Sequence, residues 1–126
     1  MNRAISTEAS PKAVGPYSQA IASGALLFCA GQIPLDPKTG EITGTDAAAQ
    51  TERVCQNIKG VLDANQMTFA DVVKTTVFLT TMDDFAAMNG VYARYFSEPF
   101  PARSTVAVVA LPRGAKVEIE VTAARA

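Results

Sequence analysis

Ser104-Thr105-Val106-Ala107-Val108-Val109-Ala110-Leu111 carries no charge on either face. A strand with one face in water alternates apolar and polar residues, so a run without that alternation reads as a strand buried on both sides. The chain enters the run through Glu98-Pro99-Phe100-Pro101-Ala102-Arg103, a segment stiffened by two prolines. Arg103 therefore stands at the mouth of the run, and its guanidinium keeps its proton in a protein. A charge in that position needs a counter-charge, and its planar fork of donors best suits a carboxylate or a phosphate. Either the protein supplies that anion or a ligand does.

Downstream, Pro112-Arg113-Gly114 is a turn, and the last strand runs over residues 116–123. Val117, Ile119, Val121 and Ala123 alternate there with Glu118, Glu120 and Thr122. Upstream, Asp83 or Asp84 caps a helix over residues 85–96, with Phe85, Met88, Tyr92 and Phe96 on one stripe. Residues 72–80 are rich in β-branched side chains and read as a central strand. A longer helix starts at Thr45 or Asp46 and runs to about Asn65. Ala48, Thr51, Val54, Cys55, Ile58, Val61 and Leu62 form its packing face. Residues 31–40 are a loop broken by two prolines, and residues 25–30 are a buried strand reached through a turn at Ser23-Gly24. Residues 4–6 and 18–22 are short strands.

The order β-β-β-α-β-α-β-β predicts a single α+β domain over residues 1–126, with two helices covering one face of the sheet. Residues 25–30, 72–80 and 104–111 are nevertheless apolar on both sides. The second sheet face is therefore expected to meet another subunit of a homo-oligomer. Glu118 and Glu120 lie at that interface if theirs is the uncovered face, which the pattern alone does not say.

The 126 residues suffice for one core, with little margin for a second. Hydrophobic residues make up 48% and charged ones 18%, an ordinary globular balance. The net charge is −1 and the Lys and Arg are scattered singly, so no basic stripe supports nucleic-acid binding. No signal-like apolar core or membrane-length segment occurs, which points to the cytoplasm. Cys29 and Cys55 sit among apolar neighbours in different elements, read as buried free thiols in preference to a disulfide. The chain has no histidine, which excludes Ser-His-Asp and Cys-His nucleophiles and HExxH zinc chemistry. Cys₄ zinc sites and phosphate-cradling glycine loops fail as well, so no metal or cofactor is expected. Arginine, carboxylates, hydroxyls, backbone groups and water remain.

Arg103 and Glu118 are the first pair to consider. In one reading Arg103 holds a small carboxylate while Glu118 orients or deprotonates a water. In the other they form a structural salt bridge between adjacent strands. Tyr17, in Gly15-Pro16-Tyr17-Ser18, is either a phenol projecting into a pocket or a packed loop aromatic. Gly31 follows a strand and either admits a ligand to its backbone or merely turns the chain. Asn89 is either solvent-facing or an interface contact. Glu120 shares a face with Glu118; one carboxyl of the two would be raised if both were buried, but a solvated edge is the default reading. Met67, Met82 and Met88 read as core or boundary fillers.

Phe100-Pro101-Ala102-Arg103-Ser104, then Leu111-Pro112, then Val117-Glu118-Ile119-Glu120 resemble the C-terminal signature of the Rid/YjgF family of enamine/imine deaminases. Ala13-Val14-Gly15-Pro16-Tyr17-Ser18-Gln19-Ala20, Ala30-Gly31-Gln32-Ile33-Pro34, Pro37-Lys38-Thr39-Gly40-Glu41 and Val73-Lys74-Thr75-Thr76-Val77-Phe78-Leu79 resemble its other segments, so the likeness spans essentially the whole chain. The resemblance implies a chorismate-mutase-like α+β homotrimer with active sites in clefts between subunits. It implies hydrolysis of 2-iminobutanoate and 2-iminopropanoate, released by PLP-dependent dehydratases, to 2-oxo acids and ammonia without a cofactor. The carboxylate-binding arginine falls on Arg103 and the water-positioning glutamate on Glu118. The pocket tyrosine, glycine and asparagine fall on Tyr17, Gly31 and Asn89. Thr105 stands in the substrate pocket where some members carry cysteine, and Ala30 where some carry serine; the first argues against thiol chemistry. The alternatives are a non-catalytic trimer binding small 2-oxo acids and, against the acidic pI of about 5.3, a ribonuclease or translation inhibitor.

Overall fold

A computed structural model describes residues 1–126. It has six strands and two helices in the expected order: β1 (Asn2–Ile5), β2 (Ala20–Ser23), β3 (Leu26–Cys29), α1 (Ala47–Ala64), β4 (Val72–Leu79), α2 (Phe85–Tyr95), β5 (Ala102–Ala107) and β6 (Val117–Ala124). The strands form one sheet in the order β1-β2-β3-β6-β4-β5. Only β4 and β5 run parallel, because α2 carries the chain back between them; the other neighbours are antiparallel. No helix is long and apolar enough to cross a membrane.

Local chemistry starts each helix where the sequence places it. Asp46 caps α1 by accepting a hydrogen bond from Ala49 N at 2.8 Å. A short turn over Met82–Asp84, capped by Thr81, leads into α2. Val54, Ile58, Val61 and Leu62 of α1 and Met88 and Tyr92 of α2 then bury against one face of the sheet.

The two-residue period of β6 sorts its side chains cleanly. Val117, Ile119, Val121 and Ala123 are buried beneath the helices, whereas Glu118, Glu120 and Thr122 point to the opposite face. Register carries that division to the neighbours. Thr75, Val77 and Leu79 of β4 face the helices; Thr76 and Phe78 face away, beside Glu120 and Glu118. Phe28 of β3, opposite Thr122, and Val106 of β5, opposite Phe78, lie on the same uncovered face and are 47% and 42% exposed.

Two expectations need correcting. Residues 25–30 are not buried on both sides, because Leu26 and Phe28 of β3 are exposed. Residues 104–111 are not a strand buried on both sides. β5 is the edge strand, its only neighbour is β4, and it ends at Ala107. Val108 N still donates to Leu79 O at 2.7 Å, after which Val109 projects fully exposed. The missing charges reflect an apolar surface that this chain leaves uncovered, not a core that it fills.

Ile119 is fully buried at the centre of the helix-covered face. Ile119→Ala should lower unfolding free energy in denaturant by about 2–5 kcal/mol. A loss below about 0.5 kcal/mol, the size of an ordinary surface change, would show that the core is not built around this strand.

Candidate active site

The sequence-derived residues separate into two groups on opposite faces of the sheet. Glu118 sits on the uncovered face of β6. Beyond the end of β3 the chain stays alongside it: Gln32 N donates to Ile119 O at 2.8 Å, and Ile119 N donates to Gln32 O at 3.1 Å. This bridge lays Gly31 against the Glu118 side chain. A Cβ built on Gly31 would meet the Glu118 carboxylate, so any larger residue here would have to displace that side chain from its present position. Tyr17 is exposed and lines the same open cavity of about 1400 Å³ as Gly31 and Glu118.

A loop over residues 7–11 forms another wall of that cavity. Buried Gln19 holds it: its Nε2 donates to the carbonyls of Thr7 (3.0 Å), Ser10 (3.3 Å) and Pro11 (2.7 Å), and its Oε1 accepts from Thr7 N (2.7 Å). The carbonyl of Gln19 also accepts from Ala30 N at 2.9 Å, next to Gly31. The sequence reading missed this residue. Its one signal was an amide directly ahead of a short apolar strand.

Arg103 lies on β5, paired with Thr75, and faces α2. Its Nη1 donates to Asn89 Oδ1 at 2.6 Å. The guanidinium lies 4.8 Å from the centre of the Tyr92 ring and 5.5 Å from that of Phe85. Tyr92 is fixed in turn by a 2.8 Å hydrogen bond between its hydroxyl and Thr75 Oγ1. Thr105, two residues along the same face of β5, has a buried hydroxyl oxygen without a hydrogen-bond partner. Asn89, Tyr92, Ala93, Phe100, Pro101 and Arg103 line a hollow of about 440 Å³. The ion pairs of the chain are Lys59–Asp63 and Arg94–Glu52, so Arg103 has no carboxylate partner within it.

The salt-bridge reading of Arg103 and Glu118 is therefore overturned for the single chain. Their strands are not neighbours, because β4 lies between them, and the two side chains leave opposite faces. Asn89, Arg103 and Thr105 belong to one group and Tyr17, Gly31 and Glu118 to the other. The aromatic floor under Arg103 was not foreseen as such; Phe85 and Tyr92 had been assigned to the packing stripe of the helix.

The two groups differ in electrostatics. Burial, and then the charge of Glu120, holds the Glu118 carboxyl above its ordinary range. Burial also raises the Tyr92 hydroxyl, against the lowering effects of its bond to Thr75 and of the Arg103 charge. Cys29 and Cys55 are free, and burial pushes both thiols up to about 12, so neither is a ready thiolate.

The Glu118 shift has a signed consequence for stability. The folded chain holds this proton more tightly than the unfolded chain does. The associated stability is complete below the unfolded carboxyl value and is lost as pH rises through the folded one. Glu118→Gln should therefore raise the melting temperature at neutral pH, with the gain fading as pH falls through the carboxylate range. A gain that grows on acidification would contradict the assigned cause.

Comparison with known proteins agrees with this architecture. The family described as Endoribonuclease L-PSP matches residues 7–125. A RutC family protein from Pyrococcus horikoshii is 54% identical over 123 residues, covering 98% of each chain. The 2-iminobutanoate/2-iminopropanoate deaminase of Escherichia coli K12 is 44% identical over 128 residues, covering 99% of each. A solved structure of a Rid-family protein from Yersinia pestis superposes with a TM-score of 0.95 at 46% identity, covering 98% of this chain and 99% of that one. Since the family match spans nearly the whole chain and these relatives are covered almost end to end, the chain belongs to the Rid/YjgF family.

Proposed function

We propose that the protein hydrolyses reactive 2-imino acids, such as 2-iminobutanoate and 2-iminopropanoate, to 2-oxo acids and ammonia. In this reading it works as a homotrimer whose clefts bring Arg103, Asn89 and Thr105 of one copy to Tyr17, Gly31 and Glu118 of another. The observation that carries the reading is the division of these residues between opposite faces of one sheet. One chain has a carboxylate-binding cation without an anion and, elsewhere, a half-buried carboxyl beside a side-chain-free backbone. A second copy seated on the apolar face around Phe28 and Val106 brings the halves together and covers that face. The deaminase name of the Escherichia coli relative supports the reaction class.

The chemistry suits the residues available. A protonated imine is already electrophilic, so water addition needs no covalent nucleophile. The guanidinium, held by Asn89 and the two rings, pairs with the substrate carboxylate and orients the imine carbon. Glu118, as carboxylate, takes a proton from the attacking water while oxygen bonds to that carbon. The same carboxyl then returns the proton to nitrogen. As the C–N bond breaks and ammonia leaves, the oxygen forms the C=O bond and gives its hydroxyl proton back to the Glu118 carboxylate, from which ammonia carries it off as ammonium. A proton affinity raised by burial helps the carboxyl both to take the proton from water and to hold it for nitrogen. Dehydratases that release enamines from threonine or serine are the fitting source of substrate.

Ribonuclease action, which the family description names, has less support here. The chain lacks histidine, its net charge is −1, and its pocket arginine is directed onto aromatic rings.

Added to a threonine-dehydratase reaction, the protein should speed appearance of 2-oxobutanoate. Arg103→Ala should lose that gain by about 100-fold or more, and Glu118→Gln by about 10²–10⁴-fold. No acceleration by the wild-type protein would overturn the reading.

A further inference from the structure

Asn57 is a polar side chain on the packed face of α1, and it is fully buried. Its hydrogen-bonding capacity is used completely. Its Nδ2 donates to Ile33 O at 3.2 Å and to Leu35 O at 2.9 Å. Its Oδ1 accepts from Arg53 Nε at 3.1 Å and Nη2 at 2.8 Å, which fixes which end of the amide faces the carbonyls. Its backbone carbonyl accepts from the buried Ser10 hydroxyl at 2.6 Å. One turn along, Gly60 supplies the space for that contact: a Cβ there would collide with Ser10 Oγ and lie 2.8 Å from Ala9 O. A glycine inside a helix costs about 1 kcal/mol relative to alanine, so close approach of the loop is what this position provides.

Both loops docked on this patch, residues 31–35 and residues 9–10, belong to segments that wall the cavity containing Glu118. Ile33 and Leu35 follow directly on Gly31 and Gln32. The Gln32–Ile119 bridge holds one end of that segment against β6, and Asn57 holds the other end against α1.

We propose that Asn57 is a positioning residue for the Glu118 half of the site, pressing the segment that begins at Gly31 against the Glu118 carboxylate from the opposite layer of the fold. The proposal rests on Glu118 serving the site as described above. Asn57 touches neither Glu118 nor a substrate and acts through the loop. Without it, Ile33 and Leu35 lose their buried donors, the loop exchanges them for water, and Gly31 no longer shields Glu118. Glu120, on its own strand, is the charged group that bears on that carboxyl; Glu8, Lys12, Asp36, Lys38 and Arg113 line the same cavity, and all of them stay in place in the variants below.

The experiment follows Glu118 titration by carboxyl NMR in Asn57→Ala, in the milder Arg53→Met, and in Val54→Ala. The last opens a cavity in the hydrophobic core from the same helix without removing any hydrogen bond to either loop. Asn57→Ala should move the Glu118 midpoint down toward the ordinary carboxylate range, Arg53→Met less far in the same direction, and Val54→Ala not at all. Imine turnover, measured as kcat/KM, should fall about 10- to 100-fold in Asn57→Ala, chiefly in kcat, as misplacement rather than lost binding predicts. If Asn57→Ala does not fold, Arg53→Met decides the matter. An unchanged Glu118 midpoint in the folded variants, or an equal shift in Val54→Ala, overturns the proposal. Absence of imine turnover in the wild-type protein would sink the deaminase reading, while the titration would still decide the role of Asn57.

Discussion

The strand period of two, imposed on β4, β5 and β6 by their shared register, is the constraint from which the rest of the molecule follows. Ile119 pairs with Val77, and both are buried under the helices; Glu118 pairs with Phe78, and both face away. Because Val77 pairs with Thr105 and Thr75 with Arg103, the guanidinium is committed to the helix side. A shift of one residue would exchange the faces, placing glutamates in the core and valines outside, so the register is strongly specified. The hydrophobic core thereby also determines that the acid and the arginine of the signature leave opposite sides of the sheet.

Arg103 is consequently a cation held ready without an internal anion. Its support is a charged hydrogen bond to Asn89 and two ring faces, of which Tyr92 is the nearer and is itself held by Thr75. Each ring contact contributes about 0.5–2 kcal/mol, enough to fix the side chain but less than a buried carboxylate would supply. In the proposed reaction the remaining donors of the guanidinium take the substrate carboxylate. Glu118 is the converse case. Gly31 and the cavity walls strip water from it, and no cation within the chain compensates, so its proton is held more firmly.

Much of this was legible in the sequence. The alternation from Val117 to Ala123, the Asp46 cap and the helical spacing of α1 identify their elements because each depends on local physics. The resemblance predicts Tyr17, Gly31, Asn89, Arg103, Thr105 and Glu118 as one constellation, whereas within one chain they fall into two groups. The run from Ser104 to Leu111 misled, since an apolar strand buried by its own chain and an apolar edge strand left open have the same composition. Strand order was not legible either. That β4 separates the strands of Arg103 and Glu118 follows from long-range pairing, which no local pattern encodes. Gln19 and Asn57 escaped for a related reason: a buried amide is marked by the carbonyls it finds across the fold, not by its neighbours in sequence.

The central claim is that a working site takes Arg103 from one copy and Glu118 from another. Subunit mixing tests it most directly. Arg103→Ala and Glu118→Gln chains, each inactive alone, are unfolded together in equal amounts, refolded, and assayed for imine hydrolysis. Hybrid assemblies then contain clefts in which an intact Arg103 meets an intact Glu118. In a randomly mixed ring such clefts make up about a quarter of the total, so activity should return to about that fraction of the wild-type value. Recovery of no activity from mixed assemblies of native size would contradict a site shared between copies.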